Sequence, residues 1–223
     1  MASVETQAAP ADTERRPPFE WRTPVRWLGL LCLMGAAFFA GYVAWLLWGT
    51  GLETKQAQND LRAGLEQTID QPKPVSEAPK PGARIIPGSA YGVIQIPRID
   101  LDMVVVQGTD YTSLKMGPGH YPDTANPWDG TGRVGIAGHR TTYLAPFFNL
   151  DQVLEGDEIR LLTEFGTYTY SVTRNVVLPE EGSGIVLEQT EDPTLVLTTC
   201  HPKYASSQRL IVEAELMSAP PMS

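Results

Sequence analysis

Residues 197–212 read LTTCHPKYASSQRLIV, two apolar and β-branched runs joined by a short polar segment. Runs of this kind, separated by turn-forming residues, are typical of paired β-strands. The first run ends at Cys200 and the second begins at Arg209. If the two strands are antiparallel neighbours, the side chains at these positions lie about 5 Å apart. We therefore expect a thiol and a guanidinium to share one end of a sheet.

The same strand-like pattern fills the region between about residues 83 and 217. Apolar or alternating runs recur there between turn residues, as in YGVIQI, MVVVQ, RVGIAG, EIRLL and TYTYSVTRNVVL. Helical periodicity is nearly absent, apart from a turn predicted near TDYTSLKM. The pattern predicts a compact all-β barrel or sandwich built around one core.

An uncharged apolar segment precedes this region. It runs from Trp27 to Trp48 and is long enough to cross a bilayer as a helix. Four arginines precede it, whereas the nearest basic residues after it are Lys55 and Arg62. The excess of arginine places the N-terminus in the cytoplasm and the C-terminal region outside the cell. A cleaved signal peptide is the alternative, but its apolar run is usually about 7 to 15 residues long.

The chain is expected to have five parts. A polar cytoplasmic tail (1–26) leads into the transmembrane helix (27–48). A juxtamembrane helix and a Pro-rich, semi-rigid spacer (49–82) follow, with the helix placed at 52–69. A folded domain is predicted at 83–217, and a short tail (218–223) ends the chain.

The charge balance narrows the possible partners. The formal net charge is −9, and no concentrated basic face is visible, which argues against nucleic acid. The acidic residues are scattered and lack EF-hand spacing, so neither a metal site nor a cofactor is predicted, and calcium stays open without support.

Cys200 is the only thiol expected outside the membrane, because Cys32 lies in the apolar segment. One interpretation is a buried cysteine that packs as a small hydrophobic residue. The other is a nucleophile, because a neighbouring arginine favours a thiolate and donates hydrogen bonds to a developing oxyanion. Arg209 alone is equally well explained as a charge at a strand edge.

Three histidines are candidates for the proton-transfer partner that such a nucleophile needs. His201 adjoins Cys200, but neighbours on an extended strand point to opposite faces. His120 lies in the loop GPGHYP, where glycine and proline shape a tight backbone. His139 ends the run RVGIAGH, which places it at a strand end, and it is the leading candidate for the base.

The segments GPGHYPDTANPWDGTGRVGIAGHRTTYLAPFFNL and LTTCHPKYASSQRLIV resemble the sortase transpeptidases, whose signature is a strand-end TLxTC followed by an arginine on the next strand. The segments AGHRTTY and LTTCHP are most similar to class E sortases, the housekeeping type. The resemblance covers about residues 90–216. It departs from the pattern at APFFNLDQVL, an extra-apolar loop after the histidine.

The resemblance implies a fold and a site. The fold is the sortase-like eight-stranded closed β-barrel with short helices. Cys200 is implied as the nucleophile, His139 as the general acid and base, and Arg209 as the group that stabilises the oxyanion or positions the substrate. The substrate-binding residues implied are His120, Thr199 and Tyr143.

The resemblance also implies an activity: cleavage of an LAxTG- or LPxTG-like sorting signal between Thr and Gly, with transfer to an amine of a lipid-linked peptidoglycan precursor. Surface proteins of a Gram-positive cell would be anchored in this way. A pilin-polymerising sortase is an alternative. An L,D-transpeptidase is another, although its S-H-G-C-x-R type motif is absent. The third is a membrane-tethered binding module in which Cys200 is unreactive.

Overall fold

The structure is a computed structural model that describes residues 22–45, 49–80, 86–181, 184 and 187–221. It forms two compact units, one ending at Tyr42 and the other comprising Val43–Ser223. Most of the predicted cytoplasmic tail, the last residues of the predicted transmembrane segment and the end of the C-terminal tail lie outside the described residues.

The first unit contains helix α1 (Arg22–Ala44). The helix is long and apolar enough to cross a membrane, and the window that meets this criterion is not buried within the protein. It begins five residues before the predicted start at Trp27, because the polar segment ahead of the apolar run continues the same helix. Residues 46–48 of the predicted transmembrane helix lie outside the described residues.

The second unit is an eight-stranded closed barrel with strand order β1-β2-β3-β4-β7-β8-β6-β5. The strands are β1 (Ala90–Ile96), β2 (Leu101–Gln107), β3 (Gly119–His120), β4 (Arg133–Ala137), β5 (Glu158–Thr163), β6 (Gly166–Pro179), β7 (Thr194–His201) and β8 (Gln208–Ser218). The β2–β3 and β4–β7 pairs are parallel and the other six pairs are antiparallel. The predicted closed barrel is confirmed, and the sandwich is excluded.

Alternate residues of the strands fill the barrel. On β7, Leu195 and Leu197 join the main core, whereas Val196 belongs to a separate cluster on the other face. Complete burial of one such side chain contributes roughly 1.5–3 kcal/mol. The alternation therefore fixes which residues of each strand face outward.

Helix α2 (Thr50–Asp70) contains the predicted juxtamembrane helix and extends it by two residues at its start and one at its end. It packs on the outside of the barrel, where Leu65 contacts Val93 and Val104. The amide of buried Gln58 donates to the carbonyl of Val104 at 2.9 Å and accepts from its N–H at 2.7 Å. The helix is thus part of the same compact unit as the barrel.

The described part of the predicted spacer, residues 71–80, also contacts the barrel. The N–H of Lys73 donates to the carbonyl of Glu164 at 2.7 Å. The indole of Trp128 donates to the carbonyl of Pro79 at 3.3 Å. Hydrogen bonds near both ends of residues 71–80 therefore hold this part of the expected semi-rigid spacer against the barrel.

A short helix, α3 (Tyr111–Met116), occupies the turn predicted near TDYTSLKM. Asp110 caps it, accepting from the backbone N–H groups of Thr112 and Ser113. The cap and the buried Ser113 fix this helix beside the start of β3, close to α2.

Candidate active site

Cys200 and Arg209 lie opposite each other at one end of the barrel. The antiparallel register of β7 and β8 pairs these two residues directly, as the sequence predicts. Cys200 follows Val196 and Thr198 in the alternation of β7, so it faces outward from the core. The thiol is half-buried and free.

The guanidinium of Arg209 is held at this end by two loops. Its Nη1 donates to the carbonyls of Ser206 at 2.8 Å and Gln208 at 3.0 Å. Its Nη2 forms an ion pair with Glu180, just after β6. The Arg209 side chain is 24% exposed, so a ligand at the sheet end can reach it.

His139 reaches the same end from strand β4. The parallel register of β4 and β7 pairs Ala137 with Thr198. His139 and Cys200 each stand two residues beyond that pair, so adjacent strands deliver the imidazole and the thiol together. Burial lowers the pKa of His139, and its Nε2 has no hydrogen-bond partner among the described residues. A buried nitrogen without a partner requires an explanation, and a catalytic role is one of the known explanations.

The backbone beside His139 is fixed by Gly138. Its N–H donates to the carbonyl of Thr198 at 3.1 Å, and its carbonyl accepts from the hydroxyl of Thr199 at 2.7 Å. A Cβ at Gly138 would lie 2.6 Å from the Phe147 ring, so only glycine fits. The N–H of Phe147 in turn donates to the carbonyl of His139 at 3.2 Å. Hydrogen bonds to both neighbouring segments therefore fix the backbone at His139.

Two of the predicted substrate-binding residues lie near His139. The Tyr143 ring centroid is 4.9 Å from that of His139, and its hydroxyl is 3.1 Å from the hydroxyl of Tyr111. Tyr143 also has a φ of 54°, in the left-handed region. Thr199 is 4% exposed, and its hydroxyl is bound to Gly138. Tyr143 is therefore placed beside the imidazole, whereas Thr199 supports the backbone behind it.

The third predicted substrate-binding residue, His120, is enclosed in the barrel wall. It is 1% exposed and stacks on Tyr91, with ring centroids 4.3 Å apart. Its Nδ1 contacts Gln107 Oε1 at 3.2 Å, and its Nε2 contacts the carbonyl of Ala125 at 3.0 Å. Burial lowers the pKa of His120 to about 4. The ring therefore presents both nitrogens to the protein, and the structure does not bring it to Cys200.

Sequence reasoning did not identify two further features of this end. The hydroxyls of Tyr121 and Thr198 form a hydrogen bond at 3.0 Å, on the outward face that carries Cys200. Arg140, directly after His139, is buried, and the Cys200 thiolate is among the charges that raise its pKa against the effect of burial. The motif GHR contained the signal, because it joins an arginine to the predicted base.

The described residues hold no group of three or more histidine, cysteine, aspartate or glutamate side chains arranged to bind a metal ion. The functional groups described at this end of the barrel are a thiol, an imidazole and two guanidinium groups.

A family model for the Sortase domain matches residues 94–217, more than half of the chain. Sortase D of Bacillus subtilis is 32% identical over 177 residues, which cover 78% of this chain and 87% of that protein. The solved structure of a Clostridium perfringens Sortase D5 transpeptidase superimposes with a TM-score of 0.63 at 26% identity, covering 73% of this chain and 99% of the other.

Relatives of the E type also match. Sortase E of Streptomyces avermitilis superimposes with a TM-score of 0.52 at 34% identity, covering 60% of this chain and 91% of the other. Because D and E types both appear, the predicted class E likeness is only loosely supported. The matched residues include His139, Cys200 and Arg209. The chain therefore belongs to the sortase family of cysteine transpeptidases.

Proposed function

We propose that this sortase cleaves an LAxTG- or LPxTG-like sorting signal between Thr and Gly and transfers the new acyl end to an amine of a peptidoglycan precursor. The observation that carries the proposal is the convergence of Cys200, Arg209 and His139 on one end of the barrel through the β4–β7 and β7–β8 registers. Family membership supplies the transpeptidase chemistry, and the geometry supports the roles proposed for the three residues.

In the first step, the Cys200 thiolate attacks the carbonyl carbon of the threonine. The carbonyl oxygen becomes an oxyanion, to which Arg209 donates hydrogen bonds. As the tetrahedral intermediate collapses, protonated His139 gives its proton to the glycine nitrogen, which leaves as an amine. A thioester between the threonine carbonyl and Cys200 remains, and His139 is neutral.

In the second step, neutral His139 takes a proton from the incoming primary amine while the amine nitrogen attacks the thioester carbonyl. Arg209 stabilises the second oxyanion in the same place. The Cys200 thiolate then leaves, an amide bond joins the substrate to the acceptor, and His139 is protonated again. The enzyme therefore returns to its starting state after one transfer.

The lowered pKa of His139 bears on both steps. Burial disfavours the imidazolium, so the neutral fraction of His139 is larger at neutral pH. Neutral imidazole is the form required to activate the acceptor amine. The first step instead requires the minority imidazolium. The pKa therefore favours the second step and limits the population that starts the first.

The contacts of Arg209 support a role in binding the oxyanion. Arginine has five N–H donors in a fixed fork. The carbonyls of Ser206 and Gln208 and the carboxylate of Glu180 hold the group without enclosing it. A group oriented in advance stabilises developing charge without reorganising during the reaction.

Helix α1 supports the proposed location, a single-pass membrane protein with a cytoplasmic N-terminus and an extracellular barrel. Its length and composition suit a membrane span, and the arginines before it give the orientation. Tethering the enzyme to the surface that carries a membrane-retained substrate and a lipid-linked acceptor raises their effective concentration. The proposed partners are thus surface proteins with a sorting signal and a peptidoglycan precursor amine.

The test is a peptide-transfer assay with the full chain in detergent micelles. LAxTG and LPxTG peptides are each incubated with an oligoglycine amine, beside the Cys200→Ala variant, and the products are measured by mass spectrometry. Transfer that is lost in the variant supports the proposal and ranks the two motifs.

Further acceptors separate the alternatives. Transfer only to a lysine-containing pilin peptide would favour pilus assembly over wall anchoring. Reaction with peptidoglycan stem peptide alone would favour an L,D-transpeptidase activity. Labelling of Cys200 by a small electrophile without any transfer would mean a live thiol with another substrate, and no labelling of the folded chain would favour the binding module.

A further inference from the structure

Arg140, the residue after His139, is a buried cation. Its side chain is 2% exposed, which is rare for arginine unless the charge is paired. Its Nε donates to the carbonyl of Phe148 at 2.9 Å, and its Nη2 lies 2.9 Å from Asp151 Oδ1. That second contact has ion-pair distance without hydrogen-bond geometry, and Nη1 has no partner among the described residues. So costly a burial, only partly satisfied, requires an explanation beyond packing.

Asp151 also receives a second cation. Lys203 Nζ lies 3.7 Å from Asp151 Oδ1 and 4.1 Å from the centre of the Phe148 ring. Phe148 and Asp151 belong to the loop that follows β4 and His139, whereas Lys203 belongs to the loop that follows β7 and Cys200. The shared carboxylate and ring therefore connect the loop that follows the proposed base with the loop that follows the proposed nucleophile.

Arg140, Lys203 and Asp151 together carry one net positive charge, in the loops that follow His139 and Cys200. Burial lowers the pKa of Arg140, and the Asp151 carboxylate and the Cys200 thiolate raise it. Arginine nonetheless stays protonated in proteins. The guanidinium therefore remains a buried positive charge.

We propose that Arg140 is a positioning residue of the transpeptidase centre. Its buried guanidinium supplies a second positive charge for the Cys200 thiolate, in addition to Arg209. Its ion pair with Asp151, shared with Lys203, holds the loops after His139 and Cys200 in their relative places. The inference rests on the roles proposed above for Cys200 and His139.

The role of Arg140 differs from that of Arg209. Arg209 is 24% exposed at the sheet end, within reach of a substrate oxygen, whereas Arg140 is enclosed. Arg140 therefore acts through the thiolate and through the loops rather than by touching the substrate.

The charge is tested by the reagent preference of Cys200. The full chain is used in detergent micelles with Cys32→Ala, so that Cys200 is the only remaining cysteine. Alkylation rates are measured with anionic iodoacetate and with neutral iodoacetamide. Both reagents consume the same thiolate, so the thiolate fraction cancels in the ratio of the two rates and the local electrostatic potential remains.

Arg140→Gln is expected to lower the iodoacetate-to-iodoacetamide ratio by at least about threefold, because one nearby positive charge is lost. Arg140→Lys keeps the charge and is expected to keep the ratio. The matched control is Arg160→Gln, which removes an exposed arginine from β5, three strands away from β7. That variant is expected to leave the ratio unchanged.

The loop connection is tested by kinetics of peptide transfer. Lys203→Met and Asp151→Asn are expected to lower kcat by about tenfold with little change in KM, because small displacements of reacting groups are costly. Arg140→Lys is expected to lower kcat as well, since one ammonium cannot replace the two-point contact with Phe148 and Asp151. Lys55→Met, at an exposed position of α2, is the control for loss of a lysine.

Several results would overturn the inference. A folded Arg140→Gln variant with the wild-type reagent ratio would remove the charge role, and wild-type kcat in both Lys203→Met and Asp151→Asn would remove the loop role. If Arg140→Gln does not fold, the charge role is decided with Asp151→Asn. That variant leaves Arg140 and Lys203 without their carboxylate, so the iodoacetate-to-iodoacetamide ratio is expected to rise. If the wild-type chain transfers no sorting peptide, the proposed substrate fails, and the reagent ratios still decide the role of Arg140.

Discussion

Cys200 on β7 and Arg209 on β8 are direct cross-strand partners, and the two strands carry them to the same end of the barrel. The backbone carbonyls of Ser206 in the loop and Gln208 at the start of β8 then hold the guanidinium, at 2.8 and 3.0 Å from Nη1. The relationship places a fixed cation beside the thiol before any substrate binds. The first prediction follows from it.

Arg209→Ala is expected to lower kcat/KM for peptide transfer by about 10²–10³, the usual effect of removing one oxyanion donor. The kcat/KM of Arg209→Lys is expected to lie between those of the wild-type chain and Arg209→Ala, because lysine keeps the charge and loses the planar fork. Steady-state kinetics with a sorting peptide measure both. Arg174→Ala removes an exposed arginine from β6 and serves as the control. Equal activity of Arg209→Ala and this control would contradict the assignment.

Gly138→Ala is expected to lower both the melting temperature and kcat. The added methyl group would meet the Phe147 ring at 2.6 Å, and the backbone that carries His139 must move to relieve the clash. Thermal unfolding and peptide-transfer kinetics check the two effects. Gly64→Ala is the matched change on α2, where nothing lies within 4 Å of the new atom.

Gly64→Ala should stabilise the chain by roughly 0.5–1 kcal/mol, because alanine favours a helix over glycine. A Gly138→Ala enzyme with wild-type kcat would show that the His139 backbone is not held as described.

His120 makes the stability of the barrel depend on pH. Its pKa is lowered from 6.5 in the unfolded chain to about 4 by burial. Above 6.5 both states are neutral and the contribution to stability is fully present. As the pH falls from 6.5 to 4, the unfolded state binds a proton that the folded state does not, and about 3 kcal/mol is lost.

The melting temperature of the full chain in detergent is therefore expected to fall between pH 7.5 and pH 4.5. In His120→Gln the fall is expected to be smaller, because glutamine offers an amide in place of the ring and does not titrate. His139, whose pKa is also lowered, retains part of the dependence. An equal fall in both proteins would show that His120 is protonated in the folded barrel.

Gln58→Leu is expected to destabilise the second unit by at least about 2 kcal/mol, because it leaves buried backbone groups without partners. The lost bonds are those to the carbonyls of Val104 and Met116 and from the N–H of Val104. Hydrogen exchange at the Val104 amide and the melting temperature measure the loss. Gln56→Leu changes an exposed glutamine of the same helix and is expected to leave both unchanged.

The sequence was most informative where apolar runs alternate regularly. The pattern around Cys200 and Arg209 predicts two paired strands and a shared sheet end, and the register confirms both. It did not predict β3, because a strand of two residues has no periodicity to detect. The parallel pairing of β4 with β7, which brings His139 to Cys200, depends on contacts between distant segments.

Most of the structural features that the sequence did not predict depend on polar contacts. Hydrogen bonds from Gln58 add to the apolar contacts that dock α2, and hydrogen bonds tether residues 71–80. An apolar pattern in the sequence predicts neither set of bonds. The burial of Arg140 contradicts the usual exposure of arginine and is visible only once Asp151 is folded against it. The enclosure of His120 likewise depends on Tyr91, which is distant in sequence.

The central claim, that Cys200 carries the acyl group, is tested most directly by intact-mass measurement of the full chain with Cys32→Ala. The chain is incubated with a sorting peptide and no acceptor amine, then acidified and mapped by proteolysis. We expect an added mass equal to the peptide up to and including its threonine, located on Cys200, absent in Cys200→Ala and released by hydroxylamine. Transfer products without any such adduct, or an adduct that persists in Cys200→Ala, would contradict it.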